Sequence, residues 1–414
     1  MKVHVVQNLD VPAEAVWAVA RQFRCAWHPF IEWVKAERDH QGHLLRCFKV
    51  HGEEGLYRER LTYFSDATMQ LHYTHVEGIK DVGNYTASLK VEAQTQGCTV
   101  TWQAEFEAPE PRASQIASGT QTVFEAGIAA LLENASMKTM EIGNIAVTHS
   151  VAKPGPLLVF LHGIGGNRSN WQRQMQAASL QFQCVAMDLR GYGGGSLGKT
   201  QSTVDDYCAD ILAVMESFQK SKVVLCGLSY GSWIATSFAM RHADKLAGLI
   251  LSGGCTGMSE ASQDERDAFL AARQKPLDKG KTPADFAEAV VKNIAGPEAS
   301  DATKQELKNS MAAIPTATYR DAMWCFTHPT EKFDFDNIKC PVLMMTGEFD
   351  KLASPKEIEQ VALRMHQSAP YPDIQFEVIA GAGHICNVEK PERYNQLLSG
   401  FLRRLSRSGK WAQN

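Results

Sequence analysis

Three residues in this chain have types and contexts that together support acyl-transfer chemistry. Ser229 is central in Gly227-Leu-Ser-Tyr-Gly231, Asp350 ends Gly347-Glu-Phe-Asp350, and His384 ends Ile379-Ala-Gly-Ala-Gly-His384. A serine hydroxyl is a weak nucleophile until a base takes its proton. An imidazole serves as that base when a carboxylate fixes its tautomer and stabilises the charge it gains. An apolar run, Lys222–Cys226, leads into the serine turn, and a helical pattern follows from Ser232 to Met240. Strand, sharp turn and helix are the setting of a nucleophile elbow, and its glycines allow a turn that a Cβ would crowd. Asp350 follows the strand-like Val342–Thr346, so its carboxylate falls beyond a strand's C-terminal end, where parallel sheets carry their sites. His384 lies on a glycine-rich turn after Gln375–Ile379.

The same chemistry requires donors aimed at the developing oxyanion. Phe160-Leu-His-Gly-Ile-Gly-Gly166 leaves an earlier strand with glycines suited to close backbone approach, and the N–H groups of Ile164 and Tyr230 form the natural pair. His162 is expected to brace that loop. Asp188 and Arg190, in Met187-Asp-Leu-Arg-Gly-Tyr-Gly193, are expected to hold loops together, and Asp350 is preferred over Glu348 as the histidine's partner. Candidate substrate-binding residues are Arg168, Arg320, Trp324 and His328, with Phe326 as a further wall residue. Arg320 or Arg168 would meet a substrate carboxylate.

These residues need a scaffold, and the chain offers two textures. In the first part, a helix begins at Val11-Pro-Ala-Glu-Ala-Val-Trp17, and Trp27 to Trp33 reads as an aromatic-rich connection. Strand-like stretches then succeed one another: Leu44–Val50, Leu56–Phe64, Met69–Val76, Asn84–Ala93 and Cys98–Glu107. The last alternates with period two, and a long helical pattern, about Ile116–Asn134, closes the unit. Past Ser136, short apolar strands at Leu157–Leu161, Gln183–Asp188, Lys222–Cys226, Ala247–Ser252 and Pro341–Thr346 alternate with helices. That rhythm predicts a mostly parallel sheet covered on both faces. A largely helical insertion, about 255–335, reads as a lid.

Two resemblances follow. Val11–Trp17, Tyr57-Arg-Glu-Arg-Leu-Thr-Tyr63, Leu71-His-Tyr-Thr-His-Val-Glu-Gly78 and Val100-Thr-Trp-Gln-Ala-Glu-Phe106 resemble the polyketide cyclase/START-like superfamily over residues 1–135. This implies an α+β helix-grip fold, a curved sheet around a long C-terminal helix. It also implies a hydrophobic ligand cavity, for which Trp27, Trp33, Tyr73 and Trp102 are lining candidates. The serine, aspartate and histidine motifs, with His162-Gly-Ile-Gly-Gly166 and Asp188–Gly193, resemble the α/β-hydrolase superfamily over residues 138–414. Within it, Pro341–Asp350 and Ile379–Glu392 are similar to the 3-oxoadipate enol-lactonase branch. That resemblance implies a serine hydrolase that opens a lactone or ester without a metal or cofactor. The bulky Trp233 soon after Gly231, and the added N-terminal domain, depart from the branch and leave the substrate open.

Other function classes are weighed against this one. The 42 basic and 46 acidic residues of the 414 give no basic excess of the kind nucleic-acid binders carry. The glycine-rich segments lack the spacing of a phosphate or dinucleotide loop. Ten scattered cysteines, with no C-x-x-C pair, suit free thiols in a reducing compartment, and the expectation is a cytoplasmic protein with no membrane span. A hydrophobic or aromatic-derived small molecule is the expected substrate, and a homodimer is one option for assembly. Hydrolysis of a carbon–carbon bond in a ring-cleavage diketone and a non-catalytic sensor or scaffold remain as alternatives.

Overall fold

The computed structural model describes residues 1–368 and 373–408 and divides into two compact units, Met1–Met137 and a second from Lys138 onward. The first unit holds β1 (Lys2–Leu9), α1 (Ala13–Ala20), β2 (Ile31–Arg38), β3 (Leu44–Val50), β4 (Leu56–Ser65), β5 (Gln70–Glu77), β6 (Gly83–Ala93), β7 (Cys98–Glu107) and α2 (Arg112–Ala135). Its seven strands pair in the order β1-β7-β6-β5-β4-β3-β2, antiparallel throughout. The alternation read in β7 becomes a buried face of Cys98, Val100, Trp102, Ala104 and Phe106. Helix α2 lies over that face. Phe124 stacks on Trp102 with centroids 4.6 Å apart, and Gly127 leaves room where a Cβ would strike the Trp102 ring.

One expectation for this unit is corrected. The stretch read as a connection runs into a strand, β2, whose Ile-Glu-Trp-Val-Lys-Ala-Glu-Arg sequence lies at the sheet edge with little burial. An edge strand need bury no continuous face, so its polar residues hid it. Of the four candidate lining residues in this unit, Trp27 is half-buried. Tyr73 and Trp102 are buried against each other, with the indole N–H donating to the phenol oxygen at 3.0 Å, and Trp33 is exposed on the edge strand.

The second unit opens with the hairpin β8 (Lys138–Ile142) and β9 (Ile145–His149), then β10 (Leu157–Leu161), α3 (Gln172–Ala178), β11 (Gln183–Met187), α4 (Val204–Ser217), β12 (Val223–Leu228), α5 (Tyr230–Arg241) and β13 (Leu246–Ser252). Four helices follow in the insertion: α6 (Gln263–Asp278), α7 (Pro283–Ile294), α8 (Asp301–Ala312) and α9 (Thr316–Thr327). The fold ends with β14 (Val342–Gly347), α10 (Pro355–Ser368), β15 (Ile374–Ile379), α11 (Cys386–Glu389) and α12 (Pro391–Ser408). The sheet order is β15-β14-β13-β12-β10-β11-β9-β8, parallel from β15 to β11 and antiparallel at β9 and β8.

Strands β10, β11 and β12 are buried along their whole length, which is why they read as unbroken apolar runs. Each fully buried Val or Leu there contributes about 1.5–3 kcal/mol relative to exposure. Strand β12, between β10 and β13, delivers the serine turn to the middle of the sheet's C-terminal edge. The insertion helices start cleanly because their caps are encoded: Ser262 and Glu265 form a capping box on α6, as Thr282 and Asp285 do on α7. Among the described residues, no helix is long and apolar enough to cross a membrane.

Candidate active site

Ser229 caps the N-terminus of α5 with φ 55° and ψ −114°, a left-handed conformation that costs a non-glycine residue about 1–3 kcal/mol. The surrounding structure holds it there. Its N–H donates to the Ser252 carbonyl at 2.8 Å, and its carbonyl accepts from the N–H groups of Ser232 and Trp233. A Cβ on Gly227 would run into the backbone of Gly231, and one on Gly231 into the Leu161 carbonyl. The close approach of strand and helix therefore depends on both glycines.

His384 and Asp350 meet on neighbouring loops. The His384 Nδ1 lies 2.8 Å from Asp350 Oδ2, and both residues are buried. Asp350 also accepts from the N–H groups of Leu352 at 2.8 Å and Ala353 at 2.9 Å, and from the Thr346 hydroxyl at 3.3 Å. Burial works against its charge, but the histidine and the backbone donors outweigh it and hold the carboxyl below its ordinary range. Gly253, with φ 60°, packs against the imidazole, where a Cβ would stand 3.1 Å from Cε1.

Glu348 instead accepts the Gly381 N–H at 2.9 Å, bracing the start of the histidine loop. Among the described residues no hydrogen bond joins the Ser229 hydroxyl to the imidazole. Such contacts often tighten only when a substrate is bound.

The two candidate oxyanion donors are oriented by different means. The Gly163 carbonyl bonds to His162 Nδ1 at 2.8 Å and accepts the Gly166 N–H at 3.0 Å. Because that carbonyl and the Ile164 N–H belong to one planar trans peptide, pinning the first aims the second the opposite way. His162 Nε2 accepts the Leu189 N–H at 3.0 Å, so Nδ1 carries the proton, and burial keeps the ring below its usual pKa. His162 thus has the bracing role expected of it. The Tyr230 N–H is the first of α5 and has no acceptor within the helix. Among the described residues neither N–H has an intramolecular acceptor.

Ser229, His384, Ile164 and Tyr230 all line one cavity of about 1100 Å³. Much of its remaining wall comes from the insertion, including Phe269, Arg273, Phe286, Met311, Tyr319 and Phe326. Phe326 was among the expected wall residues. The bulk of Trp233 is absorbed between Tyr230 and Phe326, against Gly257.

The four substrate-binding candidates lie elsewhere. Arg168 pairs with the fully buried Asp188 and reaches the Thr148 hydroxyl, joining two loops. Arg320 pairs with Asp278 at 2.7 Å, while Trp324 is exposed and stacks on His328 at 3.9 Å. None of them lines the cavity. Arg320 and Trp324 share α9 with Tyr319, Met323 and Phe326, which do line the cavity, but they lie on another face of that helix. Arg273 does line the cavity and was not among the candidates, although Phe269 and Arg273 are four residues apart and so share one helix face. Glu389, whose carboxylate accepts the N–H groups of Gly383 and Ile385 on either side of His384, was not among them either; its signal was a lone acid five residues after the histidine.

Residues 156–391, more than half of the chain, match the family described as alpha/beta hydrolase fold. The chain belongs to that family. Its N-terminal residues 1–135 match the family described as polyketide cyclase / dehydrase and lipid transport. Relatives of this hydrolase include a 2-(acetamidomethylene)succinate hydrolase of Mesorhizobium japonicum, 24% identical, the alignment covering 64% of this chain and 94% of the relative. Another is 3-oxoadipate enol-lactonase 2 of Acinetobacter baylyi, 22% identical over 61% and 90% of the two chains. Among solved structures, a thermophilic esterase from Thermogutta terrifontis superposes with a TM-score of 0.55 at 25% identity, covering 65% of this hydrolase and 99% of the esterase.

Proposed function

We propose that this alpha/beta hydrolase cleaves a carboxylic ester or lactone through an acyl-enzyme formed on Ser229, with an enol lactone as a fitting substrate. The observation that carries the reading is the buried His384–Asp350 pair opening onto the same cavity as a strained serine and two unengaged N–H groups. The relative named as a 3-oxoadipate enol-lactonase supports the substrate type.

In the proposed cycle, Ser229 Oγ attacks the carbonyl carbon while His384 Nε2 takes its proton. Asp350 holds Nδ1–H and stabilises the imidazolium. The carbonyl oxygen gains charge between the Ile164 and Tyr230 N–H groups, each such donor contributing roughly 10²–10³-fold to the rate. Collapse breaks the C–O bond, and His384 returns the proton to the departing alkoxide or enolate. In a lactone both halves stay in one molecule, and a released enol becomes a ketone. Water activated by His384 then attacks the acyl-enzyme and frees Ser229.

The test is labelling by a fluorophosphonate beside a screen of lactones, simple esters and vinylogous diketones, with products identified by mass. Wild type is expected to label and to turn over esters or lactones, and Ser229→Ala to do neither. A broken carbon skeleton among the products would replace this reading with carbon–carbon hydrolysis. A folded protein that never labels would favour a sensor.

A further inference from the structure

The cavity contains a charge that the proposed chemistry does not use. Six of its lining side chains can carry charge. His162 is braced between loops and His384 is held by Asp350. Arg364 is neutralised by Glu260 at 2.8 Å, and Glu357 is engaged at the start of α10, where it accepts from Ser354. Arg273 remains. Among the described residues it has no acidic partner, and its one hydrogen bond runs from Nη1 to the Phe269 carbonyl at 3.3 Å.

The guanidinium carbon lies over the Phe269 ring, 3.3 Å from its centroid. Burial pulls its pKa down, the usual sign of a cation short of solvent and counter-charge. Tyr319, from α9, lines the same cavity, and among the described residues its hydroxyl has no hydrogen-bond partner. A guanidinium edge and a phenol O–H are both donors, and the walls around them are largely apolar. An isolated half-buried cation is costly unless something pairs with it.

We propose that Arg273, assisted by the Tyr319 hydroxyl, anchors a carboxylate on the substrate, so that the preferred ester or lactone is a largely apolar molecule bearing an acid group away from the scissile bond. This rests on the acyl-transfer reading above and adds the substrate class. A carboxylate presents two oxygens in the plane of the guanidinium fork, which a neutral ester tail cannot do. The volume of about 1100 Å³ accommodates more than a small bare lactone, leaving room for apolar bulk along the phenylalanine walls.

The experiment compares mono-4-nitrophenyl esters of linear dicarboxylic acids, from four to ten carbons, with uncharged alkanoyl esters of equal length. Wild type is expected to favour the acid-bearing ester in kcat/KM, most strongly at one chain length. Arg273→Gln should shrink that preference at least tenfold, and Arg273→Lys, which keeps the charge but not the fork, should shrink it less. Fluorophosphonate labelling of Ser229 and the thermal midpoint report whether each variant is folded. No wild-type preference, or a preference unchanged in Arg273→Gln, overturns the proposal.

Calorimetric binding of adipate and longer dicarboxylates to Ser229→Ala protein, with and without Arg273→Gln, decides the matter without catalysis. Binding weakened at least tenfold by the second substitution supports the anchor even if the serine chemistry fails. Equal binding by both proteins removes the anchor even if that chemistry stands.

Discussion

Two arginines, one in each domain, stand over phenylalanine rings and end differently. Arg46 of the N-terminal domain lies 4.3 Å from the Phe23 centroid, with Phe48 and Tyr73 also around it, and forms contacts of 2.5 and 2.7 Å with Glu59. Arg273 of the hydrolase domain lies over Phe269 and has no acid among the described residues. The first arrangement completes its own charge balance, so the helix-grip interior behaves there as a finished core. The second leaves a charge, with a phenol donor in the same apolar chamber, for a ligand to complete. Ring contact is common to both arginines; what differs is the counter-charge that Arg46 has in Glu59.

The strongest way to test the open side of this contrast is to disable its chemistry while preserving its shape. Asp350→Asn retains the size of the side chain but presents an amide to His384 Nδ1, favouring the wrong tautomer and leaving an imidazolium without its carboxylate. A kcat loss of roughly 10³–10⁴-fold on the best ester or lactone is expected, with little change in KM. Steady-state kinetics check it. A loss below tenfold would mean that Asp350 does not orient the base.

The closed side should answer in stability. Glu59→Ala strands the Arg46 guanidinium among aromatic rings, and breaking such a buried pair costs about 3–5 kcal/mol. Urea denaturation of the full chain should show an early transition, while fluorophosphonate labelling of Ser229 persists through it. Replacing both partners, as Arg46→Met with Glu59→Leu, should recover much of the loss. If Glu59→Ala costs nothing, Arg46 is no better paired than Arg273 and the contrast fails.

A pH titration sharpens the same side. His28 is buried, with Nε2 2.8 Å from the Val123 carbonyl and Nδ1 accepting the Phe30 N–H at 3.2 Å, a pattern that requires the neutral ring. Burial, less the help of the Val123 bond, lowers its pKa from 6.5 to about 4. The unfolded chain therefore binds more protons between those values, and stability rises with pH across that window. The contribution is complete above pH 6.5, falls as pH drops towards 4, and amounts to about 3 kcal/mol. His28→Gln, which can still donate and accept, should flatten this part of the N-terminal domain's stability profile. An unchanged slope would assign the pH dependence to other groups.

The sequence revealed these regions unequally, for physical reasons. The parallel strands were readable because burial on both faces demands unbroken apolar runs, and the elbow because only glycines permit its approach distances. The loops carrying Asp350 and His384 followed from their places after β14 and β15. Strand β2 was hidden because an edge needs no apolar face. Which arginine faces the cavity is not legible in the sequence, because Arg320 and Arg273 both lie on insertion helices, α9 and α6. Composition cannot show that Arg320 finds Asp278 while Arg273 turns inward over Phe269.

Glu389 tests whether openness belongs to the whole hydrolase domain or only to its substrate chamber. Its carboxylate accepts the N–H groups of Gly296 at 2.7 Å, Gly383 at 2.9 Å and Ile385 at 3.1 Å, while the His384 N–H donates to the Ile294 carbonyl at 2.7 Å. The histidine loop is thereby tied on both sides of His384 to the end of α7, the second insertion helix. This buried charge is saturated, as Arg46 is, but by backbone donors rather than by an opposite charge. In Glu389→Gln the amide nitrogen cannot accept, so at least one buried N–H loses its partner at a cost of about 1–3 kcal/mol. Some of that loss should loosen the imidazole's position. We expect kcat on an uncharged ester to fall roughly five- to tenfold, by loss of transition-state positioning, with KM nearly unchanged and Ser229 labelling slowed in parallel. A normal kcat with a lowered thermal midpoint would make Glu389 a brace for the insertion alone. A reduced kcat would extend the saturated, core-like behaviour of the N-terminal domain to the support beneath His384, and confine the unsatisfied charge to the wall where Arg273 lies.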